Sequence, residues 1–124
     1  MRLVRFSCVA VISVALSGCN PFSALSCSPN GCPKAEDGKG RLQPVIDALA
    51  AYSTAEGEYP DSVDVLTPSY LAELPRKPDW GPDAWWSYRR SEHGYSLRFD
   101  YGGPGFNSCF YSPTSSSWNC YGRY

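Results

Sequence analysis

The chain has 124 residues, a formal net charge of −1, 15% aromatic residues, six cysteines and a single histidine. That length allows one small domain once any leader is removed, and the near-balance of charge argues against nucleic acid, which a basic surplus would attract. One histidine also excludes the metal-hydrolase motifs that need two.

The first element in the chain is a basic, then apolar, N-terminal stretch. Arg2 and Arg5 open the chain, and Phe6 to Leu16 is a mostly apolar run without charge. The run is too short to span a bilayer as a helix, which takes about 20 apolar residues, and a basic start, a short apolar stretch and small residues make a cleavable signal. It closes on Leu16-Ser17-Gly18-Cys19, which resembles the bacterial lipobox. The resemblance implies cleavage between Gly18 and Cys19, diacylglyceryl transfer to the Cys19 thiol and acylation of the new amine. Buried acyl carbons contribute about 0.8 kcal/mol per methylene, so two or three chains on one residue anchor a protein stably where one chain would not. The implied location is the bacterial envelope, lipid-anchored. Asn20, by the enterobacterial sorting rule, leans toward the outer membrane and its periplasmic side. Removing residues 1–18 takes two arginines and no acid, leaving nine basic residues against twelve acidic ones and a net charge of −3.

Residues 19–39 read as the lipidated N-terminus and a tether rich in Ser, Pro, Gly and Asn. Residues 40–124 read as one domain. Four cysteines remain after Cys8 is removed and Cys19 alkylated, and in an exported chain they suggest two disulfides among three possible connectivities. Cys109 and Cys120 flank a stretch that pairs Phe110 with Asn119, Tyr111 with Trp118 and Ser112 with Ser117 around a Pro113-Thr114-Ser115-Ser116 loop, which sets the two cysteines opposite one another. Cys27 and Cys32 are then expected to pair across Ser28-Pro29-Asn30-Gly31. A zinc site is disfavoured, since Cys-x4-Cys is poor ligand spacing and no histidine lies nearby.

Within the domain, Leu42, Val45, Ile46, Leu49 and Tyr52 follow the spacing of one buried helical face. Pro44 then belongs in the first turn, where its missing N–H has no helical partner, and Gly57 ends the helix. Two short helical turns are expected next, one from Asp61 and one capped by Thr67 with Pro68 at its first position. After Pro75 the pattern alternates. Trp86, Tyr88 and Arg90 face opposite to Trp85, Ser87 and Arg89, and Tyr95, Leu97, Phe99 and Tyr101 alternate with Ser96, Arg98 and Asp100. A hairpin through Ser91-Glu92-His93-Gly94 would oppose Tyr88 to Leu97 and Trp86 to Phe99. The expected fold is α+β: one N-terminal helix packed on an antiparallel sheet of about four strands.

The segments Ile46-Asp47-Ala48-Leu49-Ala50-Ala51-Tyr52, Gly57-Glu58-Tyr59-Pro60, Leu66-Thr67-Pro68-Ser69-Tyr70-Leu71 and Leu74-Pro75, followed by Trp86-Ser87-Tyr88 and Tyr95-Ser96-Leu97, resemble in order the globular head of type II secretion major pseudopilins and type IV pilin-like proteins. The resemblance runs over residues 42–101 and implies a pilin-like head. It departs from that family at the N-terminus, where a pilin has a long apolar helix behind a Gly-Phe cleavage site; here the apolar run ends in Cys19. A tethered single head, not a filament subunit, is what the departure implies.

Catalytic signals are sparse. His93 sits at an expected hairpin tip, no Gly-x-Ser-x-Gly elbow occurs, and Asp79 with Asp83 lie in a Pro- and Gly-rich stretch that offers nothing to raise a carboxyl pKa. Pseudopilins often hold calcium in their C-terminal loop, but Asp100 and Asn107 fall short of the six to eight oxygens that Ca²⁺ takes, and a Gly-rich turn with polar caps is the expectation. The chain is therefore expected to be non-enzymatic and without a cofactor or metal: a membrane-held module for a protein partner in the envelope, accessory to secretion or pilus machinery. The alternative is a carbohydrate or peptidoglycan binder using Trp80 and Trp85, although aromatics in so small a domain more often fill the core. Replacing Cys19 with Ser should abolish metabolic labelling of the protein by radioactive fatty acid; undiminished labelling would refute the anchor.

Overall fold

The computed structural model describes residues 29–76, 84–102 and 105–123. In chain order these form helix α1 (Pro33–Glu56), a short 3₁₀ turn (Val63–Leu66) and strands β1 (Trp85–Ser91), β2 (Gly94–Gly102), β3 (Phe106–Ser112) and β4 (Ser117–Arg123). The strands make one antiparallel sheet in the order β1-β2-β3-β4, and α1 covers one of its faces. This is the α+β arrangement expected from the sequence.

The helix begins earlier than expected. Pro33 stands at its first turn, and Pro44 lies in its interior, so residues 33–39, expected as tether, are helical. The buried stripe explains the extension. Ala35, Gly38, Leu42, Val45, Ile46, Ala48 and Leu49 are all buried along α1, and its first two members are too small to register as a hydrophobic face. An interior proline removes a helical hydrogen bond and costs about 3 kcal/mol. Pro44 is exposed, and Leu42 on one side and Val45 and Ile46 on the other hold the helix to the sheet through it. Gly57, with φ 81°, caps the helix as expected, its N–H donating to the Ser53 carbonyl at 2.9 Å.

The next two turns differ in detail. Ser62, not Asp61, caps the 3₁₀ turn by accepting from the Asp64 N–H. Thr67 ends that turn instead of starting a helix. The Thr67–Pro68 peptide is cis, and the Tyr70 and Leu71 N–H groups both donate to the Leu66 carbonyl, at 2.8 and 2.9 Å. Leu66 is buried as the spacing demanded.

The strand registers match expectation. Trp86 opposes Phe99 and Tyr88 opposes Leu97, and Ser91 pairs with Gly94, so Glu92-His93 form a two-residue turn. Phe110 opposes Asn119, Tyr111 opposes Trp118, and Ser112 opposes Ser117. Cys109 and Cys120 lie directly opposite and are joined, with Cα atoms 4.0 Å apart. The inner face of β2 (Tyr95, Leu97, Phe99 and Tyr101) is buried against α1 and the Cys109–Cys120 bridge. Cys32 is buried and disulfide-bonded; its expected partner, Cys27, lies outside the described residues, as do Gly18 and Cys19.

The start of α1 is tied to the far end of β2. The Tyr101 hydroxyl donates to the Pro29 carbonyl at 2.9 Å, Lys34 Nζ donates to the Gly102 carbonyl at 2.9 Å, and the Cys120 N–H donates to Asn30 Oδ1 at 3.1 Å. Helix and central strand thus run antiparallel, with the point of chain entry at one end of the sheet and the Glu92-His93 turn at the other.

Two glycines in α1 have opposite roles. A Cβ on Gly38 would lie within 2.7 Å of Phe99 Cζ, whereas one on Gly40 would meet nothing within 4 Å. Alanine is the better helix former by about 1 kcal/mol, so Gly40→Ala should raise stability by roughly that amount. Gly38→Ala should instead lower it by about 1–3 kcal/mol, because overpacking outweighs propensity. Urea denaturation of the two variants checks the sign; stabilisation by Gly38→Ala would refute the close contact.

Candidate functional site

The inner-face side chains of β1 converge on a loop and not on a cleft. Trp86 Nε1 donates to the Pro75 carbonyl at 3.0 Å, and the Tyr88 hydroxyl donates to the Pro60 carbonyl at 2.6 Å. Arg90 reaches Asp61 Oδ1 at 2.7 Å through one terminal nitrogen and Glu58 Oε2 at 2.8 Å through the other. Alternation on β1 aims these three residues to the same side as α1, and each captures the segment that returns from the helix. Beneath it Tyr59 packs edge-on against Tyr95, and Tyr52 against Tyr70. The loop is therefore fixed at both ends, with Val65 turned outward and half exposed.

Two kinds of interaction hold this platform, and they differ in worth. Glu58 and Asp61 are exposed, so solvent screens their ion pairs with Arg90 and these add little to stability. The hydrogen bonds to Asp61 and Glu58 raise the Arg90 pKa further above its usual range, which keeps its fork charged. The Tyr88 bond is better sheltered. Burial is the main cause that pushes the Tyr88 hydroxyl up to about 12, and burial followed by Tyr111 raises Tyr95 as well.

A second surface lies on the sheet face that α1 leaves uncovered. Trp85 (40% exposed), Phe106 (40%), Phe110 (37%) and Tyr121 (65%) all stand on it. Arg98 lies between them, its guanidinium carbon 5.0 Å from the Trp85 ring centre and 5.3 Å from that of Phe110. Asp100 Oδ1 accepts from Arg98 Nε at 3.0 Å and from the Ser108 hydroxyl. Among the described residues its other oxygen, Oδ2, is buried without a hydrogen-bond partner. Arg98, Phe106, Ser108, Phe110 and Tyr121 line an open groove of about 420 Å³.

These positions answer several expectations. Trp85 is exposed and faces away from Trp86, while Trp80, the other expected ligand-binding tryptophan, lies outside the described residues with Asp79 and Asp83. His93 is an exposed turn residue. Asp100 pairs with Ser108 and Tyr101 with Asn107 across β2 and β3, which places Asp100 and Asn107 on opposite faces where they cannot share a cation. Among the described residues no group of three or more His, Cys, Asp or Glu is arranged to hold a metal ion. Alternation marked Asp100 as outward but missed its burial. The available signal was the pair of opposite charges two residues apart on one strand face, beside Trp85 and Phe110 of the neighbouring strands.

No protein-family model, no curated protein and no solved structure matches the chain.

The Tyr88 hydroxyl generates a pH test. Its pKa is raised in the folded state, so its contribution is fully present below the unfolded value near 10 and is lost as pH rises toward about 12. Stability should therefore fall over that interval, and Tyr88→Phe should flatten the fall while lowering neutral-pH stability by about 1 kcal/mol through the lost hydrogen bond. Urea midpoints measured from pH 8 to 12 decide it; parallel curves for the two proteins would refute the assignment.

Proposed function

We propose that the chain is a bacterial envelope lipoprotein, anchored through acyl chains on Cys19, whose head is a non-enzymatic interaction module for an envelope protein. The observation that supports this reading most is the loop platform. Three β1 side chains spend their hydrogen-bonding groups on immobilising a surface loop. A surface ordered in advance loses less conformational entropy when a partner docks, which favours binding. The segment so held, with Gly57-Glu58-Tyr59-Pro60 and Leu66-Thr67-Pro68-Ser69-Tyr70-Leu71, is also where the resemblance to pseudopilin heads is densest. That resemblance supports a role beside secretion or pilus machinery. Among the described residues no helix is long and apolar enough to cross a membrane. In this proposal the lipid on Cys19 supplies the membrane attachment.

A second reading, a carbohydrate or peptidoglycan binder, is favoured by one observation: the exposed Trp85, Phe106 and Tyr121 on the outer sheet face. It ranks below the first because Arg98 already covers one side of the Trp85 ring, which removes flat surface a sugar ring would stack upon.

Photo-crosslinking residues introduced at Val65 and Glu92 in intact cells should each capture the same envelope protein. Absence of that product, together with peptidoglycan retention that Trp85→Ala abolishes, would replace the first reading with the second.

A further inference from the structure

We propose that the outer sheet face is the surface by which the head lies on an anionic phospholipid bilayer. The inference rests on the lipid-anchor reading of Cys19 and adds an orientation to it.

Position is the first argument. Pro29 and Asn30 are held at the end of the sheet formed by Tyr101, Gly102 and Cys120. The outer-face aromatics crowd the same end: Trp85 opposes Asp100, Phe106 opposes Gly102, and Tyr121 opposes Ser108, itself opposite Asp100. Cys19 and Pro29 are ten positions apart in the chain, a contour of at most roughly 35 Å. A lipid on Cys19 therefore holds this end of the head next to the headgroups at an effective concentration on the order of millimolar, so each docking contact needs little intrinsic affinity.

Chemistry is the second. Trp, Tyr and Phe with an apolar body and, for Trp and Tyr, a polar handle suit the interfacial layer of a bilayer. Arg98 and Arg89 stand on this face against one carboxylate, Asp100, which Arg98 already engages. Lys34 adds an ammonium at the same end. Glu58, Asp61 and Glu92 lie at the opposite end, around the β1–β2 turn. Glu36 and Asp37 share the chain-entry end on α1 but are paired with Lys39 and Arg41, so the outer face itself carries the cationic surplus that this orientation turns toward a negative leaflet. The same orientation leaves the loop platform facing outward.

The test uses the full acylated protein reconstituted into vesicles of phosphatidylethanolamine and phosphatidylglycerol with brominated chains, which quench nearby tryptophan. Wild type should be quenched, Trp85→Phe should lose most of that quenching, and the exposed-site double variant Phe106→Ser with Tyr121→Ser should weaken it. Exchanging phosphatidylglycerol for phosphatidylcholine should weaken it as well. Equal quenching of wild type and Trp85→Phe, with fatty-acid label on Cys19, would overturn the docking face and leave the anchor standing. If Cys19 carries no label the anchor reading fails, and the same vesicles with protein added in solution decide the face: no Trp85-dependent quenching overturns it. Crosslinks from position 121 to an envelope protein in cells, without quenching in vesicles, would assign the face to protein and overturn it too.

Discussion

The contact between Gly38 and the Phe99 ring sets how closely α1 approaches β2, and most of the molecule is arranged around that approach. Where the two elements meet, the helix presents no side chain at all, and the aromatic ring fills the space a Cβ would need. Leu42, Val45, Ile46 and Leu49 join Tyr95 and Leu97 in the buried cluster further along, and the Cys109–Cys120 bridge lies level with Phe99. A head of this size has little apolar volume to spare, so one closely seated helix and one disulfide under it carry the core. One helix cannot cover two faces. The outer side of the sheet is left to Trp85, Phe106, Phe110, Tyr121 and Arg98, and that uncovered side is where the membrane proposal lies.

The sheet was legible because period-two patterns are local. Alternation in Tyr95 to Tyr101 and the mirror arrangement of residues around Pro113-Thr114-Ser115-Ser116 specify faces and register without knowledge of anything distant. The helix was legible only where its stripe is made of large residues. Ala35 and Gly38 are buried for the opposite reason, that they are small, and a hydrophobic pattern cannot register absence of bulk. Hence residues 33–39 read as tether and Pro44 as a first-turn proline, and both errors follow from the one omission. The Thr67 turn departs from the sequence pattern for a related reason. Thr-Pro suits a helix start as well as it suits a turn, and the choice depends on how the segment is held over Leu66.

The surfaces divide in the same way. Trp85 was placed correctly on the outer face by alternation, but its partnership with Arg98 depends on the alignment of β1, β2 and β3 together. Alternation puts Arg98 and Asp100 on the face opposite to Leu97 and Phe99 and carries no information on how they meet. In the folded sheet the carboxylate is wholly enclosed, and the guanidinium takes over the polar display above it. The loop platform was invisible in advance, because bonds such as Tyr88 to Pro60 and Arg90 to Glu58 join residues about thirty positions apart, and no local pattern encodes them.

The order β1-β2-β3-β4 along the chain has a kinetic side. Every strand pairs with its sequence neighbour, so the sheet closes through short loops, and such local pairing lowers the entropic barrier to folding. The helix is less favoured. It contains Gly38, Gly40 and Pro44, and a stripe of that kind is marginal until something packs on it. Its partner strand, β2, follows the end of α1 by almost forty residues. The helix therefore depends for its stability on a surface that lies later in the chain than itself: the first hairpin supplies the apolar face against which its stripe is buried.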